Sequence, residues 1–218
     1  TQPSTANFIC KKLVMLFVDD SPQDRLVGDC ATVFIATSDD SDQMGQVVAS
    51  IVNSPEFFSN YRSKIKTPVE FVVGVVRNLQ AQGNHFDLPN AIKKMGISMF
   101  ENPVPTGWSE SGEDWMNSNF LLQRVDWVND LSRRGVNDEI TYIDPLGLLN
   151  GLALQSSDVI INFLFDLLLA NDVTQEEINI AIEIINDDTA FDINATDAEE
   201  KIRRTIGTML SYPQYQFQ

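Results

Sequence analysis

The feature that most constrains the fold is a helix start signal that recurs along the chain. Each copy puts a hydroxyl residue three positions before a carboxylate. The copies are "SPQD" from residue 21, "TPVE" from 67, "TQEE" from 174, "TDAE" from 196 and a weaker "SGED" from 111. In such a signal the hydroxyl oxygen accepts a hydrogen bond from the first helical turn, and the carboxylate bonds back to the cap residue. The repetition predicts a chain of many capped helices.

Apolar residues after these signals recur at helical spacing, as Ile178, Ile182 and Ile185 do after the signal at 174. "VEFVVGVV" from residue 69 is rich in β-branched residues, which favour strands. The cap signal before it and the recurrence of valine three and four positions apart favour a helix instead. "ITYI" from 140 has strand character but is too short to build a sheet.

We therefore expect an all-α fold: an irregular bundle of about nine helices with one long loop rich in Trp, Pro and Gly, from residue 102 to 118. No long flexible linker interrupts the pattern, so residues 1–218 are expected to form a single helical domain. Because a helix follows the first residues almost at once, we expect the chain to be a processed or truncated piece of a longer protein.

The formal net charge of −16 narrows the range of partners. So acidic a surface repels phosphate backbones, which argues against a nucleic-acid partner. The longest apolar run, from 159 to 170, is shorter than the ~18 residues of a membrane helix. Asp158, Asn162 and Asp166 also give that helix a polar stripe. We expect no membrane insertion.

The two cysteines leave two alternatives open. If residues 5–18 and 23–36 form an antiparallel helical hairpin, residues whose numbers sum to about 40 face each other, as Cys10 and Cys30 do. They then form a disulfide, which would favour an exported protein, or they are two small buried apolar residues. Two thiols and the single His85 do not make a metal site, so we expect no metal and no cofactor.

A short segment occurs twice. "VASIVNSPEFFS" from residue 48 returns as "IGTMLSYPQYQF" from 206, which aligns Pro55 with Pro213 and Phe57 with Tyr215. In both copies proline stops an amphipathic helix, and the aromatic residue two positions later is expected to cover the last helical turn. We interpret these four residues as a structural motif used twice.

The loop from 102 to 118 is the candidate site. Tryptophans beside carboxylates suit a sugar, and the candidate ligand-binding residues are Trp108, Glu110, Glu113, Trp115 and Asn117. The alternative is structural: Gly107 permits a turn, and the two indole rings pin the loop to the helical body. Adjacent helical carboxylates point about 100° apart, so Glu113 and Asp114 are badly placed to flank one glycosidic bond. Asp114 is better explained as the acid that caps Ser111.

Several of these segments together resemble the C-terminal part of the bacterial domain of unknown function 1800. They are "STANFICKKLVMLFV", "SIVNSPEFF", "KTPVEFVVGVVR", "NPVPTGW" continuing through "WMNSNFLLQR", and "MLSYPQYQF". The shared pattern covers Pro55, Glu56, Phe57, Pro68, Glu70, Phe71, Gly107, Trp108, Trp115 and Asn117. Ser109 departs from it, since proline is common there.

The resemblance implies a periplasmic or secreted protein with an N-terminal half that this sequence lacks. Members of the family look like large exported bacterial proteins whose genes often lie beside another uncharacterised family, numbered 1501, that resembles sulfatases and alkaline phosphatases. The implied partners are therefore the protein's own N-terminal half and a sulfatase-like protein from a neighbouring gene. The family supplies no established catalytic residue.

Two hypotheses of function follow. The first is a non-catalytic helical scaffold or interaction domain of an exported bacterial protein. The alternative is part of a hydrolase that acts on polysaccharide or another extracellular polymer, with a site completed by the missing N-terminal half. No nucleophile elbow accompanies His85, so the motifs themselves do not identify an enzyme.

Overall fold

A computed structural model describes residues 2–109, 111–137, 139–152, 156–187 and 189–218. Within these ranges lie eleven α-helices and no strand, which confirms the all-α prediction. Nine of the helices have seven or more residues, and two five-residue helices, Pro55–Ser59 and Pro145–Leu149, raise the number above nine. No helix in the described part of the chain combines the length and apolar character needed to cross a membrane.

The helices have the following bounds. They are α1 Pro3–Phe17, α2 Asp24–Ala36, α3 Gln43–Val52, α4 Pro55–Ser59, α5 Pro68–Asn78, α6 Leu88–Lys94, α7 Ser118–Arg133, α8 Pro145–Leu149, α9 Ser157–Leu169, α10 Gln175–Asn186 and α11 Ala198–Leu210, with 3₁₀ helices at Gly112–Trp115 and Pro213–Gln216. In the described residues, extended backbone pairs at two isolated antiparallel bridges, Ile65–Phe217 and Gln82–Tyr142. "ITYI" thus contributes one bridge.

The chain divides into two compact units, each built from separate stretches. Unit 1 consists of Thr1–Ile65, Ser109–Asp114 and Phe217–Gln218, and unit 2 of Lys66–Trp108 and Trp115–Gln216. The loop predicted from 102 to 118 therefore contributes residues to both units. The expectation of a single domain stays a prediction.

The core of unit 1 lies between α1, α2 and α3 and consists of small and branched apolar side chains. Cys10 and Cys30 lie in this core and form a disulfide, with their Cα atoms 5.7 Å apart. The hairpin register deduced from the sequence had placed these two residues opposite each other. The amide of Gln218 donates to the carbonyl of Lys64 over 2.8 Å, so the last residue of the sequence is part of this unit.

Reducing the disulfide is expected to lower the free energy of unfolding of unit 1 by about 3 kcal/mol, because the bridge closes a loop over a sequence separation of 20. Hydrogen exchange at the amides of α1 and α2, with and without dithiothreitol, measures the effect. A Cys10→Ser/Cys30→Ser variant is the control, since reductant should leave its exchange unchanged. Two free thiols in denatured, unreduced protein would contradict the bridge.

The core of unit 2 gathers apolar side chains from α5, α6, α7, α9, α10 and α11. Two predicted capping boxes set the starts of α5 and α10. Thr67 accepts from the amide of Glu70 and Thr174 from that of Glu177, and each glutamate accepts from its cap residue's amide. Both boxes are therefore confirmed, and "VEFVVGVV" is a helix.

The predicted caps at Ser21 and Thr196 are wrong. In both places another side chain is hydrogen-bonded to a group that the capping box would have used. Helix α2 begins at Asp24 after Gln23, since the amide of Ser21 donates to Asp19 instead. Helix α11 follows Asp197, not Thr196, and no side chain caps it. The glutamate that would complete that box, Glu199, accepts 2.6 Å from Arg203 one turn later.

The signal at Ser111 opens a four-residue 3₁₀ helix, Gly112–Trp115, and not an α-helix. Asp114 does not cap Ser111, because its carboxylate accepts from the Ser109 hydroxyl. The long helix α7 begins at Ser118, where the Asn117 side chain accepts from the amide of Phe120 over 2.9 Å.

Candidate functional site

The two tryptophans of the candidate loop contact each other in unit 2. Their ring centroids are 6.1 Å apart and the rings meet edge to face. Trp115 is only 5% exposed and belongs to the core, whereas Trp108 is half-buried and packs against that core. An edge-to-face pair contributes about 0.5–1.5 kcal/mol beyond the area that it buries. The arrangement agrees with the interpretation that the indoles pin the loop.

The stretch before Trp108 is exposed and irregular, with bends and turns at and after Pro103 and Pro105. Gly107 has φ +87°, in the left-handed region where a Cβ atom is unfavourable. No other atom lies within 4 Å of a Cβ built there, so the backbone angle alone favours glycine at this position. The turn at Gly107 allows Trp108 to pack against the core.

The other candidate ligand-binding residues occupy different surroundings. Glu113 is exposed and belongs to unit 1, whereas Asn117 belongs to unit 2 and uses its side-chain oxygen to cap α7. Glu110 lies outside the described residues. Trp115 packs in the core and Asn117 caps a helix, so both side chains have structural roles. Ligand binding by the candidate residues stays a prediction.

Each unit contains one copy of the repeated motif. In unit 1, Pro55 opens α4 and Phe57 packs half-buried against the core. In unit 2, Pro213 opens the 3₁₀ helix and Tyr215 is fully buried, edge to face with Phe71 at 5.5 Å. Burial raises the pKa of Tyr215 far above that of an exposed tyrosine. In both copies the aromatic residue contacts a core, as expected of a packing motif.

The aligned polar residues of the two copies also serve structure. Glu56 is buried and pairs with the guanidinium of Arg25. Its counterpart, Gln214, donates 2.9 Å to the carboxylate of Glu177 at the start of α10. Both side chains join the motif to a neighbouring helix in their own unit.

Arg124 is a central residue of unit 2 that the sequence analysis missed. Its fully buried guanidinium donates to the carbonyl of Lys66 over 2.7 Å and to the side chain of Gln216 over 3.1 Å. It also lies 5.1 Å from the ring centre of Phe71. Burial lowers the pKa of Arg124 to about 10. It therefore connects the start of α5, α7 and the C-terminal 3₁₀ helix.

A hydrogen-bond network connects α6 and α7 to the segment after α7. Asp87 accepts from the amide and hydroxyl of Thr141 over 3.0 and 2.7 Å, and Arg134 donates to Asp87, to Asp130 and to the carbonyl of Thr141. Burial alone would raise the pKa of Asp87, but these hydrogen bonds outweigh it and leave the pKa below its ordinary value. His85 Nδ1 lies 3.1 Å from the Thr141 hydroxyl, which suits a loop anchor.

A cavity of about 250 Å³ lies beside this network, between α6 and α7. Trp127 and Ala91 line it, and both are buried. Its arginine, Arg134, already donates to two carboxylates, so that charge stabilises the structure and is not available to a ligand. No group of three or more His, Cys, Asp or Glu residues suited to a metal ion occurs among the residues that the structure describes.

Comparison with known proteins gives one match. The model of a family described as "Protein of unknown function (DUF1800)" matches residues 1–217 and thus essentially the whole chain. No curated protein and no solved structure matches the chain. The family assignment agrees with the resemblance seen in the sequence.

Proposed function

The chain belongs to the DUF1800 family of proteins of unknown function, and from that premise we propose that it is a non-catalytic helical scaffold or interaction domain of an exported bacterial protein. The candidate residues support this, because Trp115 serves the core and Asn117 a helix cap. The first partner is the N-terminal half of the same protein. A sulfatase-like protein from a neighbouring gene is the second.

The Cys10–Cys30 disulfide supports a periplasmic or secreted location. Disulfides persist in oxidising compartments and are rare in the reducing bacterial cytoplasm. The strongly acidic surface is equally suited to a soluble exported protein.

The observation that carries the interaction role is the exposure of two aromatic side chains on unit 2, and the surface around them, residues 86–89 and 98–101, is here called the Phe86–Phe100 patch. Phe86 is 84% exposed and Phe100 is 98% exposed. Phe86 and Met99 line one shallow cavity of about 300 Å³ together with Pro89, so two separate loops meet there. Exposed aromatic side chains cost solubility and are enriched among the residues that dominate protein interfaces.

A left-handed backbone conformation occurs at or beside each phenylalanine. His85, just before Phe86, has φ +59°, and Phe100 itself has φ +64°. Non-glycine residues in this region cost about 1 kcal/mol or more, which the surrounding structure must offset. Such conformations are often kept at binding sites, and this supports the patch as the surface that the N-terminal half covers.

Association of the purified N-terminal half with this chain tests the proposal. Isothermal titration calorimetry should show binding, and Phe86→Ser/Phe100→Ser should weaken it at least about 100-fold, since buried aromatic anchors contribute 2 kcal/mol or more each. Phe58→Ser/Val136→Ser is the matched control, because these side chains are also highly exposed but lie elsewhere. Equal affinities of the patch variant and the control variant would refute the assignment of this surface.

A turnover assay separates the scaffold from the hydrolase alternative. The full-length protein is incubated with a panel of polysaccharides, and release of reducing ends is measured. We expect no turnover above that of a heat-denatured sample. Turnover that disappears in Glu113→Gln, an exposed position where the substitution should leave the fold intact, would replace the scaffold proposal with the hydrolase.

A further inference from the structure

A second cavity in unit 2, of about 330 Å³, lies among α7, α10 and α11. Two arginines line it, Arg133 in the last turn of α7 and Arg204 on α11. The other residues that line it are neutral, and no carboxylate is among them. In a chain with 31 acidic and only 15 basic residues, a cavity with two guanidinium groups and no acid in its lining is unusual.

Both arginines have donors available. Arg133 is exposed and forms no hydrogen bond or ion pair with the described residues. Arg204 donates to Asp187 over 2.7 Å through Nη2 alone, which leaves its Nε and Nη1 donors without a partner in the described part of the chain. A guanidinium group has five N–H donors in a planar fork, so one bond to Asp187 does not saturate Arg204.

A purely structural role explains part of this arrangement. Asp187 follows α10, and its bond to Arg204 joins the end of α10 to α11. That role uses one N–H donor of Arg204, and it does not involve Arg133. Exposed arginines also occur singly on many surfaces, but here two of them line one cavity.

We propose that this cavity binds the oxyanion group of a small organic anion, namely a sulfate, phosphate or carboxylate group. Arg133 and Arg204 are the two cationic partners, because planar guanidinium forks match the oxygens of such groups. Asn129 supplies an amide donor from α7, and Ile184 an apolar surface from α10. The volume exceeds that of a bare inorganic ion, so the carbon frame of the ligand lies against Ile184.

Calorimetric titration with three probes at matched ionic strength tests the site: inorganic sulfate, inorganic phosphate and glucuronate. Matched ionic strength is essential, since salt screens exposed charges. We expect saturable binding with one ligand per chain. Arg133→Gln and Arg204→Gln should each weaken it about tenfold or more, because each removes a charged hydrogen-bond donor group. The tightest probe identifies the oxyanion class.

Asp187→Asn should change the affinity for the probe in the opposite direction from the two arginine variants. It removes the carboxylate that is hydrogen-bonded to Arg204, although the charges of Glu200 and Asp197 still act on that arginine. The substitution should therefore strengthen binding, whereas a merely structural pair would give no such gain. Arg77→Gln, an exposed arginine of α5 outside the cavity, is the matched control and should bind as the unaltered chain does. Circular dichroism confirms that each variant is folded.

Three results would overturn the proposal. They are the absence of saturable binding for all three probes, equal affinity in Arg133→Gln, Arg204→Gln and Arg77→Gln, and weaker binding in Asp187→Asn. The phenylalanines of the Phe86–Phe100 patch are not in the lining of this cavity. Failure of this site therefore leaves the proposed interaction role intact, and the reverse also holds.

Discussion

Trp115→Ala is expected to lower the free energy of unfolding of unit 2 by about 3–5 kcal/mol. The indole is 5% exposed and packs in the main core of that unit, so the substitution leaves a large cavity there. It also removes the edge-to-face contact with Trp108. Urea unfolding followed by far-ultraviolet circular dichroism measures the loss.

Trp108→Ala is the matched comparison and should cost clearly less, because Trp108 is only half-buried. All three tryptophans, at 108, 115 and 127, belong to unit 2, so the fluorescence of the remaining two reports that unit specifically. A loss below about 1 kcal/mol for Trp115→Ala, together with a fall in carbohydrate affinity, would assign the loop to recognition instead of packing.

Arg124→Met should lower the stability of unit 2 by less than the about 2–6 kcal/mol that two unpaired buried acceptors cost. The substitution keeps much of the side-chain volume but leaves the carbonyl of Lys66 and the side-chain oxygen of Gln216 without their donor. A buried acceptor that loses its partner costs about 1–3 kcal/mol, and two are affected. Removing a desolvated charge offsets part of that cost. Urea unfolding followed by tryptophan fluorescence is the measurement.

Two further variants isolate the role of the guanidinium. Arg77→Met removes an exposed arginine of α5 and should change stability by about 0.5 kcal/mol or less. Arg124→Lys keeps the charge but lacks the planar fork, so it should recover only part of the loss. Equal stability of Arg124→Met and Arg77→Met would show that the buried hydrogen bonds contribute little.

Local signals predicted much of the fold and failed where a neighbouring group competed. The boxes at Thr67 and Thr174 formed, and in each the glutamate accepts from the amide of its cap residue. At Ser21 the amide donates to the carboxylate of Asp19, and at Thr196 the glutamate of the expected box accepts from Arg203. A sequence motif specifies which bonds are possible, whereas the surrounding charges decide which bond forms.

The candidate site was only partly readable from sequence. The indole pair in the loop was expected, and Trp115 lies in the core as pinning requires. Arg124 was missed, although it shares a helix face with Trp127, Val128 and Leu131, which are buried. An arginine at such a spacing signals a buried charge, but its acceptors, 58 and 92 residues away, cannot be identified from local sequence.

The division of unit 1 among three stretches also determines when that unit can be completed. Residues 2–65 are translated before its other parts, and the segment 109–114 and the pairing of Phe217 with Ile65 follow only when unit 2 has been translated as well. Helices α1, α2 and α3 therefore lack part of their unit until residue 217 is present. Excising residues 2–65 as an isolated fragment would leave it permanently in that unfinished condition.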